Sequence, residues 1–244
     1  MRDFLNILNV KIDKLDMDGA VARICSLLED KNSSLVVTPN SEMIVMAAED
    51  PELAGILNSA DLATADGAGV VLASKIMGDK LPERVAGFDL IGRLFAKLEH
   101  EDYNFYFLGS KPGIVDKAAA NLELKYSSLN IAGFHHGYLD RQLQKEVISE
   151  INSKEIDLLL VGMGVPLQER FLANNLSKLK VKVAITVGGS FDVLAGEVNR
   201  APLWMQKASL EWFYRLLQEP ARFGRMLSLP KFIYLVTKKR FLKQ

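Results

Sequence analysis

With one cysteine in 244 residues, Cys25, no disulfide can form within the chain. That cysteine lies in "AVARICSLL", where apolar residues recur at helical spacing and no basic neighbour lowers the thiol pKa, so it reads as a small core hydrophobe. Histidine is nearly as scarce: His135 and His136 are adjacent, His100 lies in a charged helix end, and nothing accompanies them at zinc-ligand spacing. Long apolar runs are missing too. None approaches the ~20 residues that span a bilayer, and charges interrupt the N-terminal "MRDFLNILNVKIDKLD" too often for a signal peptide. The expected location is cytoplasmic, at most peripheral to the inner face of the membrane.

A 49% hydrophobic content suffices for a packed core. Charge is balanced overall at 30 basic against 30 acidic residues, but unevenly placed. From Arg200 onward ten lysines and arginines face only Glu211 and Glu219, a net +8, which leaves −8 on the first 199 residues. An acidic body with a basic tail points to an anionic partner such as nucleic acid, a phosphorylated ligand or a membrane surface.

Short β-rich runs alternate with helical patterns. The runs are "SLVVT" (34–38), "LATA" (62–65), "NFYFLG" (104–109), "NIAGFHH" (130–136), "DLLLVGMG" (157–164) and "VAITVGG" (183–189). This alternation predicts an α/β fold, a Rossmann-like parallel sheet flanked by helices. Residues 1–199 form the expected catalytic core and residues 200–244 a basic amphipathic helical appendage. Prolines 202, 220 and 230 divide that appendage into three short helices, the first carrying Leu203, Leu210, Phe213 and Leu217 on one face. Such a face needs cover from the core, a membrane surface or a second copy, so self-association off the membrane is expected.

In open sheets of this kind ligands bind beyond the carboxyl ends of the strands, which draws attention to "TPNSE", "ADGAG", "GSKPG", "GMGVPLQE" and "GGSFD". Several glycine-bearing strand-to-helix turns together favour a nucleotide or sugar nucleotide. Familiar fingerprints fail in detail. "GMGVPL" has Leu167 where a dinucleotide site needs a small residue, "GSKPGIVDK" lacks the ending of a P-loop, and Asp192 stands where a nucleophile elbow needs glycine. Asp16-Met17-Asp18 matches a metal-holding Asp-x-Asp but precedes an amphipathic helix, where capping is the better reading.

Asp66 ends one strand, Asn40 follows another, and Gln168 with Glu169 a third, so polar side chains converge on one cleft. A carboxylate so placed caps a helix or takes a proton from a sugar hydroxyl.

The stretches "VTPNSEMIVMAAEDPELAGILNSADLATADGAGVVLASKIMG", "LPERVAGFDL", "FYFLGSKPGIVDKAA", "HHGYL", "LLLVGMGVPLQERFLA" and "VGGSFDVLAGEVNRAPLWMQKASLEWFYRLLQEPARF" follow one another in an order that resembles the WecG/TagA/CpsF family, glycosyltransferase family 26. The resemblance implies an inverting transferase that moves an N-acetylmannosamine-type sugar from a UDP donor onto GlcNAc carried by undecaprenyl diphosphate. A β-1,4 linkage, work at the cytoplasmic membrane face, and no nucleic-acid partner go with it. It places Asp66 as the catalytic base and Thr38, Asn40, Arg84, Gln168, Glu169, Arg215, Arg222 and Arg225 as substrate-binding positions. No cofactor and no metal are expected, the tail arginines taking the charge of the leaving diphosphate. Donors bearing ManNAc uronic acid or glucose are equally compatible, and a noncatalytic nucleotide- or membrane-binding module is the reading from outside the enzyme class.

Overall fold

A computed structural model describes residues 2–219 and 223–241. The chain opens on a hairpin, β1 (Phe4–Ile7) and β2 (Val10–Asp13), whose turn residues Leu8 and Asn9 take positive φ. There follow α1 (Met17–Leu28), β3 (Ser34–Val37), α2 (Ser41–Glu49), α3 (Pro51–Ser59), β4 (Leu62–Ala63), α4 (Ala68–Met77) and α5 (Gly87–Leu98). The second half runs β5 (Asn104–Gly109), α6 (Ile114–Lys125), β6 (Asn130–His135), α7 (Arg141–Ser153), β7 (Leu158–Gly162), α8 (Leu167–Asn175), β8 (Val183–Thr186) and α9 (Ser190–Leu194). Last come α10 (Leu203–Lys207), α11 (Glu211–Gln218), α12 (Phe223–Met226) and α13 (Ser228–Phe241).

All six expected strands form one parallel sheet in the order β4-β3-β8-β7-β5-β6. Side chains alternate between its faces, which is why two cores exist. Val36, Phe105, Phe107, Leu158, Leu160 and Ile185 meet α1, α5 and α6 on one side. Leu35, Val37, Tyr106, Leu159, Val161 and Ala184 meet the hairpin, α2, α3 and α13 on the other. Being covered on both faces, the strands read as nearly unbroken apolar runs.

Three elements differ from expectation. The hairpin buries Leu5, Ile7, Val10 and Ile12 under the sheet edge, and Asp13 secures it by accepting from the Ala63 N–H at 2.7 Å and from Arg2. Helix α3 starts directly after α2, because Pro51 at its first turn and the Asp50 cap break the helix and restart it. The first tail segment is two helices rather than one: the chain turns at Ser209, whose φ is +62°, so Leu203 does not share a helix with Phe213 and Leu217.

The end of the tail packs against the core. Helix α13 packs on α2 and α4, and its Phe232 and Val236 are fully buried in the sheet's second core. The outlying part of the tail is α10 and α11, where Leu203, Trp204, Phe213 and Leu217 remain exposed. Among the described residues no helix is long and apolar enough to cross a membrane.

Candidate active site

The carboxyl ends of the strands open into one cavity of about 890 Å³, roofed by α11, α12 and the start of α13. Glycines make that convergence of strand ends feasible. Gly109, with φ +151°, closes β5 so near β7 that a Cβ there would stand 2.4 Å from the Gly162 carbonyl oxygen. Gly67, with φ +93°, turns the chain directly behind Asp66 into α4, a conformation that L side chains rarely adopt.

Asp66 lies on the cavity wall three residues beyond β4. It does not cap α4, whose start has no side-chain cap. Its backbone N–H bonds to the Pro39 carbonyl at 3.1 Å, and its carboxylate accepts from the Gly87 N–H. Burial is the main cause that pushes its pKa up, to about 6; nearby Arg84 pulls it down, and Glu211 and Asp89 push it up. A carboxylate held near pH 6 is a better proton acceptor than one at the ordinary value while still ionised at neutral pH.

Thr38, Asn40, Arg84, Gln168, Arg215 and Arg225 line the same cavity. The Thr38 hydroxyl donates to the Thr186 carbonyl at 3.2 Å, tying β3 to β8. Asn40 Oδ1 caps α2 by accepting from Met43 N–H at 3.0 Å, which leaves its amide NH2 as the group it can offer. Arg84 Nη1 donates to Glu211, which ties the core to α11. Arg215 sits over the β8 turn so closely that a Cβ at Gly189 would be 2.6 Å from its Nη2. That nitrogen is buried with no hydrogen-bond partner among the described residues, while Nε lies 3.3 Å from Glu219. Arg225 Nε is 3.4 Å from Glu42. Arg222 lies outside the described residues.

Glu169 does not line the cavity. It is fully buried behind Gln168, its Oε1 accepting from Gln168 Nε2 at 2.7 Å, while Gln168 Oε1 accepts from Gly188 N–H at 3.1 Å. One residue along a helix turns a side chain by about 100°, which separates a cavity residue from the one bracing it. Burial raises the Glu169 pKa to about 7, against partial relief from the Gln168 bond, and its Oε2 has no hydrogen-bond partner among the described residues. Because the folded state holds this proton up to about pH 7 and the unfolded chain releases it near 4.5, stability is greatest below that range and declines as pH rises through it. Asp66 acts in the same direction. Thermal unfolding between pH 5 and 8 is expected to show a Tm that falls with pH, with the decline reduced in Glu169→Gln, which keeps the bond from Gln168 without a charge to bury. An equal slope in both proteins would contradict this.

Sequence reasoning missed Arg200 and Glu211, brought to the cavity by the fold of the tail, Ser110, which sits in the "GSKPG" junction, and Tyr138 of "HHGYL". The Ser110 hydroxyl donates to Asp192 Oδ1 at 2.6 Å, joining the end of β5 to α9. Elsewhere the plainer readings hold. Asp16 caps α1 by accepting from Gly19 N–H at 2.8 Å, and half-buried Cys25 packs beside the first core with its thiol pKa raised, chiefly by burial.

A buried carboxylate and several arginines thus meet at the carboxyl ends of a parallel sheet, where open α/β folds bind their ligands, and the relatives of this chain make it a glycosyltransferase. The chain belongs to the glycosyl transferase WecG/TagA/CpsF family, whose model matches residues 5–244. It is similar to proteins named N-acetylglucosaminyldiphosphoundecaprenol N-acetyl-beta-D-mannosaminyltransferase. That of Bacillus spizizenii is 36% identical over 233 residues, covering 93% of this chain and 90% of the relative. Those of Bacillus subtilis strain 168 (34%, 87% and 82% covered) and Staphylococcus aureus strain MW2 (33%, 98% and 95%) also align over most of both chains.

Proposed function

We propose that this protein transfers N-acetylmannosamine from UDP-ManNAc to GlcNAc linked to undecaprenyl diphosphate, forming the β-1,4 disaccharide of the wall teichoic acid linkage unit. The relatives' shared name, at this coverage, supports the acceptor and the sugar. The observation that carries the chemistry is Asp66, a carboxylate with its pKa raised to about 6 on the wall of a cavity large enough for a nucleotide sugar.

In this reading the acceptor hydroxyl attacks the anomeric carbon from the face opposite the diphosphate, and Asp66 takes the hydroxyl proton as the new bond forms. The C1–O bond to UDP breaks with its electron pair on the diphosphate, inverting the configuration. Arg215 over the β8 turn, and Arg225, meet that developing charge, and Arg215 Nη2 is already desolvated and short of a partner. Thr38, Asn40 and Gln168 position the sugars, with Glu169 bracing Gln168 from behind. The reaction needs no metal, since guanidinium groups do the neutralising.

The acceptor's polyprenyl chain stays in the bilayer, so the enzyme works at its surface. Exposed Leu203, Trp204, Phe213 and Leu217 with Lys207 make α10 and α11 the docking face, and two copies cover these faces against each other off the membrane. UDP release from UDP-ManNAc, with and without a GlcNAc-diphospho-lipid and in the presence of EDTA, tests the proposal. Acceptor-dependent release unchanged by EDTA is expected. Release restored only by Mg²⁺ or Mn²⁺ would transfer the neutralising role from the arginines to a metal, and release with a uronic acid or glucose donor alone would overturn the choice of sugar.

A further inference from the structure

Arg84 stands within electrostatic reach of Asp66 and yet is engaged elsewhere. Its Nη1 bonds to Glu211 Oε2 on α11, and its Nη2 lies 3.6 Å from Asp89 Oδ2 on α5. Arg200 closes the figure, with Nη1 at 2.6 Å from Asp89 Oδ1 and Nε at 3.4 Å from Glu211 Oε1. Two arginines and two carboxylates alternate in a ring of zero net charge, each side chain between 23% and 34% exposed. At that depth charges are only partly screened by water.

The ring draws on three separate parts of the chain, and α11 contributes only Glu211 to it. With Glu211 absent, two guanidinium groups share Asp89 alone, and Asp66 is a cavity carboxylate already in the field of Arg84. Pairing with Arg84 would stabilise the ionised form of Asp66 and weaken it as a base. The other charges on the cavity lie outside the ring: Arg225 on α12 pairs with Glu42 on α2, Arg215 with Glu219 just past α11, Asp192 on α9 accepts from Ser110, and Lys111 follows β5. On α4, the helix that follows Asp66, the basic residue is Lys75 in the last turn.

We propose that Glu211 is a positioning residue for the transfer reaction: it holds Arg84 in the ring and out of direct pairing with Asp66, so that the base reaches full strength only when α11 is docked on the core. The inference rests on Asp66 being the base. It makes the tail a source of correct charge balance as well as of arginines, and it identifies the first turn of α11 as the part that communicates docking to the chemistry.

The test is the pH dependence of kcat/KM for acceptor-dependent transfer, which reports groups of the free enzyme. The wild type is expected to lose activity on the acid side with a midpoint near pH 6, the value to which Asp66 is raised. In Glu211→Gln this limb moves to lower pH, because a negative charge that raised the Asp66 pKa is gone, and the plateau drops by about 3- to 10-fold as Arg84 competes for the base. Glu211→Asp, which keeps the charge, brings the limb back towards the wild-type position. Asp89→Asn removes the other acid of the ring from the core side and moves the limb in the same direction, which keeps the idea testable should Glu211→Gln fold poorly. A plateau loss with the limb unmoved in both neutral variants, or a limb moved upward, would overturn the proposal and leave Glu211 a structural tether. A wild-type limb that persists in Asp66→Asn would instead refute the assignment of the base itself.

Discussion

Asp66→Asn is expected to lower kcat by about 10²–10⁴-fold with KM for donor and acceptor little changed, measured as acceptor-dependent UDP release under saturating substrates. The substitution is close to isosteric, and an amide oxygen at the same place still accepts the Gly87 N–H, so the wall of the cavity keeps its shape. What it removes is the carboxylate assigned to take the acceptor's proton. Folding should not suffer. The buried carboxylate costs free energy when ionised, so the neutral variant is at least as stable as the wild type above pH 6, and thermal unfolding at pH 8 separates a chemical loss from a structural one. The residual activity of the variant should also lose the acid limb near pH 6, since no group with that midpoint remains in the step. Activity within tenfold of wild type, in a protein with unchanged Tm, would mean that another group or solvent takes the acceptor proton.

Asp66 was legible because its position is dictated locally. A buried parallel strand ends, glycine follows, and a polar residue between them must face the cleft; the same rule found Thr38, Asn40 and Gln168. Glu169 shows where that rule stops. Adjacent to Gln168 in sequence, it lies on the inward face of α8 and touches the site only through its neighbour. The sheet was readable from strands buried on both faces, whereas the hairpin was not: its four-residue strands carry Asn6, Lys11 and Asp13 among the apolar residues and resemble ordinary polar sequence. Helix α3 was hidden because only Asp50 separates it from α2. Arg200 and Glu211 had no local signal at all. Their membership in the site depends on the turn at Ser209 and on where α11 comes to rest, which are matters of tertiary packing.

The same limit decides what removing the tail will do. Composition and proline spacing suggest a detachable basic appendage from residue 200, and deletion of residues 202–244 should on that view leave a folded, inactive core. The burial of Phe232 and Val236 against α2 and α4 says otherwise. Truncating one fully buried phenylalanine to alanine costs about 3–5 kcal/mol, against about 5–15 kcal/mol for a whole domain, and the deletion removes that side chain together with Val236 and Leu229. The expected result is loss of transfer and loss of the cooperative thermal transition, with dye-binding apolar surface exposed along α2 and α4. Phe232→Ala alone should lower Tm by several degrees, by the same argument. By contrast, Trp204→Ser with Leu217→Ser, at positions 65% and 63% exposed, should change stability by no more than about 0.5 kcal/mol. A deletion product that unfolds cooperatively near the wild-type Tm would show that α13 is dispensable to the core, and the tail would then be separable as its composition suggests.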